Sequence, residues 1–292
     1  MVGRRKILGL ALVLALVATL LCLDPVRSLA GEFLDVFRVQ RFKPLYVSPQ
    51  DMAELERLWQ RGGVADLERF GRVQVFGEST SRAVRAAEAE QALGMGLRLP
   101  GGRLLDGYAP PEFYLDTLPT VSLTLDVKNV NAFLRSLGSR DLLPAGLEGK
   151  TLTMKGYPVC RAVYYRKTPG GPPDRGRSVM ILQSRSPELI LPPGVDAAAV
   201  RAALLGIPGL PENLRRQLES IGDWRHTLPV PTTGGTVTEV TIKGCSGVFV
   251  GEPSAPSHST IMWEDNGFLY AIQGSFTLAQ AQELARSMAP AR

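Results

Sequence analysis

Hydrophobic and polar positions recur along this chain with a period that changes from segment to segment, and each period names an element. Val121, Leu123, Leu125 and Val127 alternate with Ser122, Thr124 and Asp126, which predicts a strand with one buried face and one wet face. The runs Phe42–Val47, Val73–Phe76, Leu97–Leu99, Thr151–Met154, Val159–Tyr165 and Ser178–Ser184 read as further strands. The last two are separated by the Gly- and Pro-rich stretch from Thr168 to Arg177, a hairpin loop by composition. Helical periods lie between them. Ser48-Pro49-Gln50-Asp51 supplies an N-cap, a Pro at the first helical position and an early acid. It predicts a helix over Pro49–Arg61 that buries Met52, Leu55, Leu58 and Trp59 and stops at Gly62-Gly63. Ser79–Leu93 reads as an Ala-rich helix closed by Gly94, and Asn129 as the cap of a helix through Leu137 that Gly138 ends. Asp196 would cap a helix through Leu205, and Pro211 would open another to Ile221.

From Val237 the pattern predicts a four-stranded meander: Val237–Ile242, Gly247–Val250, Thr260–Trp263 and Phe268–Ile272. Asp265-Asn266-Gly267 is the tight turn between the last two, and Trp263 and Tyr270 should face each other across it. Thr277 and Gln280 form a capping box for a final helix that ends near Met288. Leu278, Ala281, Leu284, Ala285 and Met288 should face the sheet, with Gln282 and Arg286 outward. The chain has no internal repeat. The expected fold class is α+β, antiparallel sheet or sheets with packed helices, preceded by one N-terminal membrane helix.

That helix rests on Arg4-Arg5-Lys6 followed by Ile7–Leu23, which carries no charged side chain. A membrane span needs about 20 apolar residues and a cleaved signal core about 7–15, so this segment falls between the two. Two readings follow. Its length favours a retained anchor with the C-terminal bulk outside the cytoplasm, while the small residues Ser28 and Ala30 allow secretion after cleavage at Ala30. Cys22 lacks a small residue before it and reads as apolar filler, not a lipidation site. The expected organisation is a signal anchor or signal peptide over 1–30, a juxtamembrane segment with a short helix over 31–75, and an extracytoplasmic α+β domain over 76–292.

Composition changes this picture little: 45% hydrophobic and 21% charged residues are those of a globular chain. The net charge of +5 is spread among acids rather than gathered, which speaks against a nucleic-acid surface. Cys160 and Cys245 would both lie outside the membrane, either as a disulfide or as two free thiols.

Candidate chemistry is sparse. Gly244-Cys245-Ser246-Gly247 resembles a nucleophile elbow, but position 248 is Val and the Gly-x-Ser-x-Gly spacing fails. Gly244 and Gly247 read as turn and bulge residues. The two histidines, His226 and His258, lie far from Cys160 and Cys245 in sequence, and no local pair has zinc-ligand spacing. Gly94-Met95-Gly96 is followed by Leu and Arg and forms no dinucleotide loop. The expectation is a protein without catalytic residues, metal ligands or cofactor. One candidate remains: Trp224-Arg225-His226, an aromatic and basic connection ahead of Thr227–Pro231, as a partner-binding loop.

Two stretches carry a family resemblance. Ala87–Pro100, an alanine-rich helix ending at Gly94, leads through a short strand and Pro to Gly107-Tyr108. Ile261–Tyr270 places Trp263, Gly267 and Tyr270 around one turn, and Phe33–Val39 follows the apolar segment directly. Together they resemble the uncharacterised extracytoplasmic domain found after the membrane span of anti-sigma-factor-like proteins of Gram-positive and related bacteria. The resemblance implies a membrane-tethered sensory or accessory binding module, with an envelope protein or anti-sigma partner. It carries over no catalytic residues. Only Met1–Lys6 precede the span, so any regulatory role is expected to run through that partner. The alternative is a lipid or lipoprotein carrier or scaffold of the envelope, holding an apolar ligand between sheet and helices.

Overall fold

Period-two segments far apart in the chain pair with one another and build two antiparallel sheets through which the chain passes repeatedly. The structure, a computed structural model, describes residues 35–38, 41–61, 67–192, 201–203, 205–222, 227–232 and 236–290. Its first strands are β1 (Asp35–Arg38), β2 (Arg41–Tyr46), β3 (Gly71–Phe76), β4 (Thr80–Val84), β5 (Arg98–Leu99) and β6 (Glu112–Thr117). Next come β7 (Thr120–Leu125), β8 (Thr151–Lys155), β9 (Val159–Arg166), β10 (Asp174–Arg185), β11 (Glu188–Leu191) and β12 (Thr227–Thr232). The last are β13 (Thr236–Ile242), β14 (Cys245–Gly251), β15 (Ser257–Asp265), β16 (Phe268–Phe276) and β17 (Ala289–Pro290). The helices are α1 (Pro49–Arg61), α2 (Ala86–Leu93), α3 (Val127–Ser136), α4 (Glu212–Glu219) and α5 (Leu278–Ser287).

Eight strands form the larger sheet in the order β13-β14-β15-β16-β10-β9-β6-β4, and five form the smaller in the order β1-β11-β8-β7-β3. β2 pairs in parallel with β12, and β5 pairs with β17. This bears out the α+β class with antiparallel sheets. The segment read as juxtamembrane gives α1 its expected bounds and contributes β1 and β3 to the smaller sheet.

One face of the large sheet holds the main core. Ile181, Phe249, Ile261, Ile272 and Leu284 are fully buried there under α5, and Cys160 with Ala89, Leu93 and Leu97 continues the same face under α2. A second cluster, Leu125, Leu134, Leu147 and Leu152, packs α3 on the small sheet. A third gathers Leu45 and Val47 of the β2 segment with Leu55 of α1 and Leu214 and Leu218 of α4. Full burial of each such side chain contributes about 1.5–3 kcal/mol.

Local signals placed several elements as expected. Asp265 pairs with Phe268 directly, and Asn266 (φ 53°) with Gly267 (φ 83°) makes the two-residue turn whose left-handed angles match the twist of the strands. Thr277 accepts from the backbone of Gln280, whose side chain accepts from Thr277 N–H, so the capping box that opens α5 is complete. Leu284, Ala281, Ala285 and Met288 are buried, and Arg286 is exposed.

Several elements depart from expectation. Thr80–Val84 is a strand, not the first turns of a helix, because it pairs along its length with β6, where Thr80 and Thr117 share a hydroxyl hydrogen bond of 2.7 Å. α2 therefore starts only at Ala86 and closes on Gly94 in the left-handed conformation (φ 68°). α3 begins at Val127 with Asp126 as its cap, accepting from Asn129 N–H, so Asn129 is the bonded donor and not the cap. β12 falls in what reads as a Pro-rich connection; Pro229 and Pro231 are tolerated because β12 pairs only with β2. Asp196, Ile7–Leu23 and the junction at Ala30 lie outside the described residues, as do the side chains of Leu58 and Trp59. Among the described residues no helix is long and apolar enough to cross a membrane.

Candidate partner-binding surface

Strand alternation sends every second residue of the large sheet to the face away from α2 and α5. Register builds a row across that face, running from Tyr114 through Arg161, Leu182 and Ala271 to Met262 and Val248. The neighbouring row runs from Glu112 through Val163, Met180 and Gln273 to Thr260, with Tyr165 one step further on β9. At one end the β2 segment packs against β13, β14 and β15, where Lys43 Nζ meets Glu239 at 2.8 Å. Val248 is fully buried there. Beyond it Met262, Ala271, Leu182 and Met180 are half-buried, forming an apolar strip that ends in aromatic and cationic side chains.

That end is tightly organised. The Arg161 guanidinium donates to both Asp116 oxygens, at 3.0 Å from Nη2, and also to Ser81 Oγ at 2.9 Å. It lies over the Tyr114 ring at 5.3 Å, and Arg175 lies over the Tyr165 ring at 5.1 Å. Tyr114 Oη donates to Glu112 at 2.7 Å, and Arg175 reaches the same carboxylate at 3.4 Å. The hydrogen bond to Glu112, with lesser help from burial and Tyr165, pushes the Tyr114 phenol up to about 12, so it stays a neutral donor. Partial burial would raise the Asp116 carboxyl, but hydrogen bonds from Arg161 and Ser81 and the Arg161 charge outweigh it and hold the group below 3.8. Arg166, Lys167, Arg175 and Arg177 are exposed around the β9–β10 loop. The surface thus offers flat aromatic faces, fixed cations and an apolar floor, suited to an extended acidic or aromatic segment of another molecule.

Trp224, Arg225 and His226 lie outside the described residues. Ser246 is exposed on β14 opposite Thr241. His258 sits at the far end of β15, opposite Ser275 and six positions from Glu264, or about 20 Å along the strand from the level of Ser246. Among the described residues no histidine therefore stands at Ser246. Gly244 (φ 87°) completes the Lys243-Gly244 turn, and a Cβ on Gly247 would come within 2.5 Å of Met262 O and 2.9 Å of Trp263 Cβ. Gly244 is the expected turn residue, but Gly247 stands in unbroken register between Val240 and Trp263 and not at a bulge. Trp263 and Tyr270 stack across the hairpin at 5.4 Å, largely buried, as aromatic pairing required.

Cys160 and Cys245 are free thiols, the first buried and the second half-buried. Burial, aided by the Asp116 charge, pushes the Cys160 thiol up to about 11, and burial with Asp265 raises Cys245. Neither is a poised nucleophile. Among the described residues no three His, Cys, Asp or Glu side chains gather as metal ligands.

Tyr114, Arg161, Tyr165 and Arg175 are the residues that sequence reasoning missed. Their signal is present as Glu112-x-Tyr114-x-Asp116 and Arg161-x-Val163-x-Tyr165, two polar-aromatic alternations. Prolines ahead of β6 obscured the first. Comparison with family models, with curated proteins and with solved structures gives no match to this chain.

Proposed function

We propose that this chain is a membrane-tethered, extracytoplasmic binding module without catalytic activity, sensory or accessory, in an envelope or sigma-factor regulatory system. The observation that carries it is the strip ending in Tyr114, Arg161, Tyr165 and Arg175, where aromatic and arginine anchors stand accessible beside half-buried apolar residues. The tether rests on Arg4-Arg5-Lys6 and the uncharged Ile7–Leu23, and the regulatory setting rests on the likeness of Ala87–Pro100 and Ile261–Tyr270 to the domain of anti-sigma-factor-like proteins. The side chains between the large sheet and its two helices pack closely, which supports a surface-binding module over a lipid carrier.

The test is a photo-reactive residue in place of Tyr165, irradiated in intact cells. A discrete adduct with an envelope regulatory protein is expected, and it should be lost when Arg161 and Tyr114 are both replaced by Ala. A lipid adduct would transfer the protein to the carrier class. Absence of any adduct would overturn the binding surface. Membrane fractions should retain the chain through alkaline carbonate, and a mature form beginning at Gly31 would sink the tether.

A further inference from the structure

Three edges of the two sheets have described side chains, and one is unlike the others. Exposed positions on β4 are Thr80, Ser81, Arg82 and the small Ala83, and on β13 they are Thr236, Glu239 and Thr241. β3 instead exposes Val73 at 42%, Val75 at 60% and Phe76 at 55%. Its register with β7 is unbroken from Gly71 to Phe76, with no bulge, no proline and no inward charge to discourage a further strand. Among the described residues no strand pairs with its outer side.

The direction of its free backbone groups can be read from one bond. Asp126 N–H donates to Phe70 O at 2.9 Å, so Phe70 and Asp126 form a hydrogen-bonded pair that extends the β3–β7 ladder. Such pairs alternate, and Arg72, Gln74 and Phe76 therefore bond inward to β7 while Val73 and Val75 point their N–H and C=O groups outward.

We infer that β3 pairs antiparallel with β3 of a second copy of this chain, about a twofold axis at Gln74, joining the two small sheets into one. The occupant follows from self-complementarity. In this register Val73 faces Val75 of the other copy, twice, through outward-pointing backbone groups. Arg72 faces Phe76 of the other copy, twice, so the one charge of the strand meets an aromatic ring and not its own like. Shifting the axis to Val73 sets Val75 against Gly71, and shifting it to Val75 sets Val73 against Gly77. Each keeps a single Val–Val pair, at its axis, where the register centred on Gln74 has two. A six-residue edge belongs to the small interfaces, below about 1,200 Å², so the dimer is reversible and concentration-dependent.

At the axis Gln74 meets its own copy as a non-hydrogen-bonded pair, with Cα atoms about 4.5 Å apart, within reach of a disulfide. The test uses the purified full-length chain, with detergent present, under mild oxidation. Gln74→Cys should give a disulfide-linked dimer. Arg72→Cys, on the same strand face but about 13 Å from its own copy in this register, should not exceed the wild-type background from native cysteines. Light scattering should show dimer for the wild type and monomer for Val75→Lys, which places a cation on a side chain already exposed and leaves the fold intact by circular dichroism. Equal cross-linking at positions 72 and 74, no cross-linking at 74, or dimer mass retained by Val75→Lys would each overturn the pairing.

Discussion

The backbone N–H of Arg98 donates to Oε1 of Gln183 at 2.9 Å, tying a two-residue strand that lies over the large sheet to the strand at its centre. Gln183 is fully buried between Cys160 and Tyr270, and its Nε2 has no hydrogen-bond partner among the described residues. Arg98 adds a bond of 2.6 Å to Asp265 and lies over the Tyr270 ring at 5.2 Å. A buried amide is thus kept for one of its two ends. Gln183→Met would remove the orphaned donor, but it would also leave the Arg98 N–H without its acceptor, a loss of about 1–3 kcal/mol. Chemical denaturation should show that loss, and a Met variant as stable as the wild type would mean that the strap is held by Asp265 and Tyr270 alone.

The final helix offers a sharper contrast. Leu284 is fully buried against the sheet, while Gln282 is only half-buried. Leu284→Ala should cost about 2–5 kcal/mol, and Gln282→Ala within about 0.5 kcal/mol. Thermal melts that found the two equally harmless would contradict the packing of α5.

Acid should weaken the Arg161–Asp116 pair. The folded carboxyl of Asp116 titrates below its ordinary 3.8, so its stabilising contribution is complete above that value and is lost as pH falls through the folded pKa. Asp116→Asn lacks this dependence. Melting temperatures of the two proteins compared from about pH 6 to about pH 2 should therefore converge at the acid end. A constant gap would assign the stability to packing and not to charge.

Next to the nucleophile-like sequence, the glycine and the serine should behave oppositely. Gly247→Ala drives a Cβ into Met262 O and Trp263 Cβ, and it should destabilise by about 1–3 kcal/mol. Ser246→Ala, at an exposed position, should stay within about 0.5 kcal/mol. A fluorophosphonate probe should leave Ser246 unlabelled; an adduct there would require the non-catalytic reading to be abandoned.

Elements whose causes are local were legible in the sequence. Asn266-Gly267, Thr277 with Gln280, and Pro49 with Asp51 specify their backbone within a few residues, and each stands where it was expected. β4 and β6 were hidden because each is a strand chiefly by virtue of a partner distant in sequence. Thr80–Val84 looks helical until β6 is opposite it, since propensity is a weak prior against sheet pairing. The candidate surface was hidden for the same reason. Tyr114 and Arg161 become neighbours only through the β6–β9 register, and nothing within either segment announces the other.

The parallel pair of β2 and β12 joins Arg41 to Thr227, and β1 meets β11 at Leu191. Synthesis runs from the N-terminus, so these early strands must wait for partners made much later. β1 and β2 must wait, with their ladder groups solvated, until most of the chain has emerged, while the hairpin of β15 and β16 can close as soon as it is made. Maturation of this protein should therefore leave its oldest residues unpaired for a long interval, and a helper that shields Asp35–Tyr46 would act during that wait.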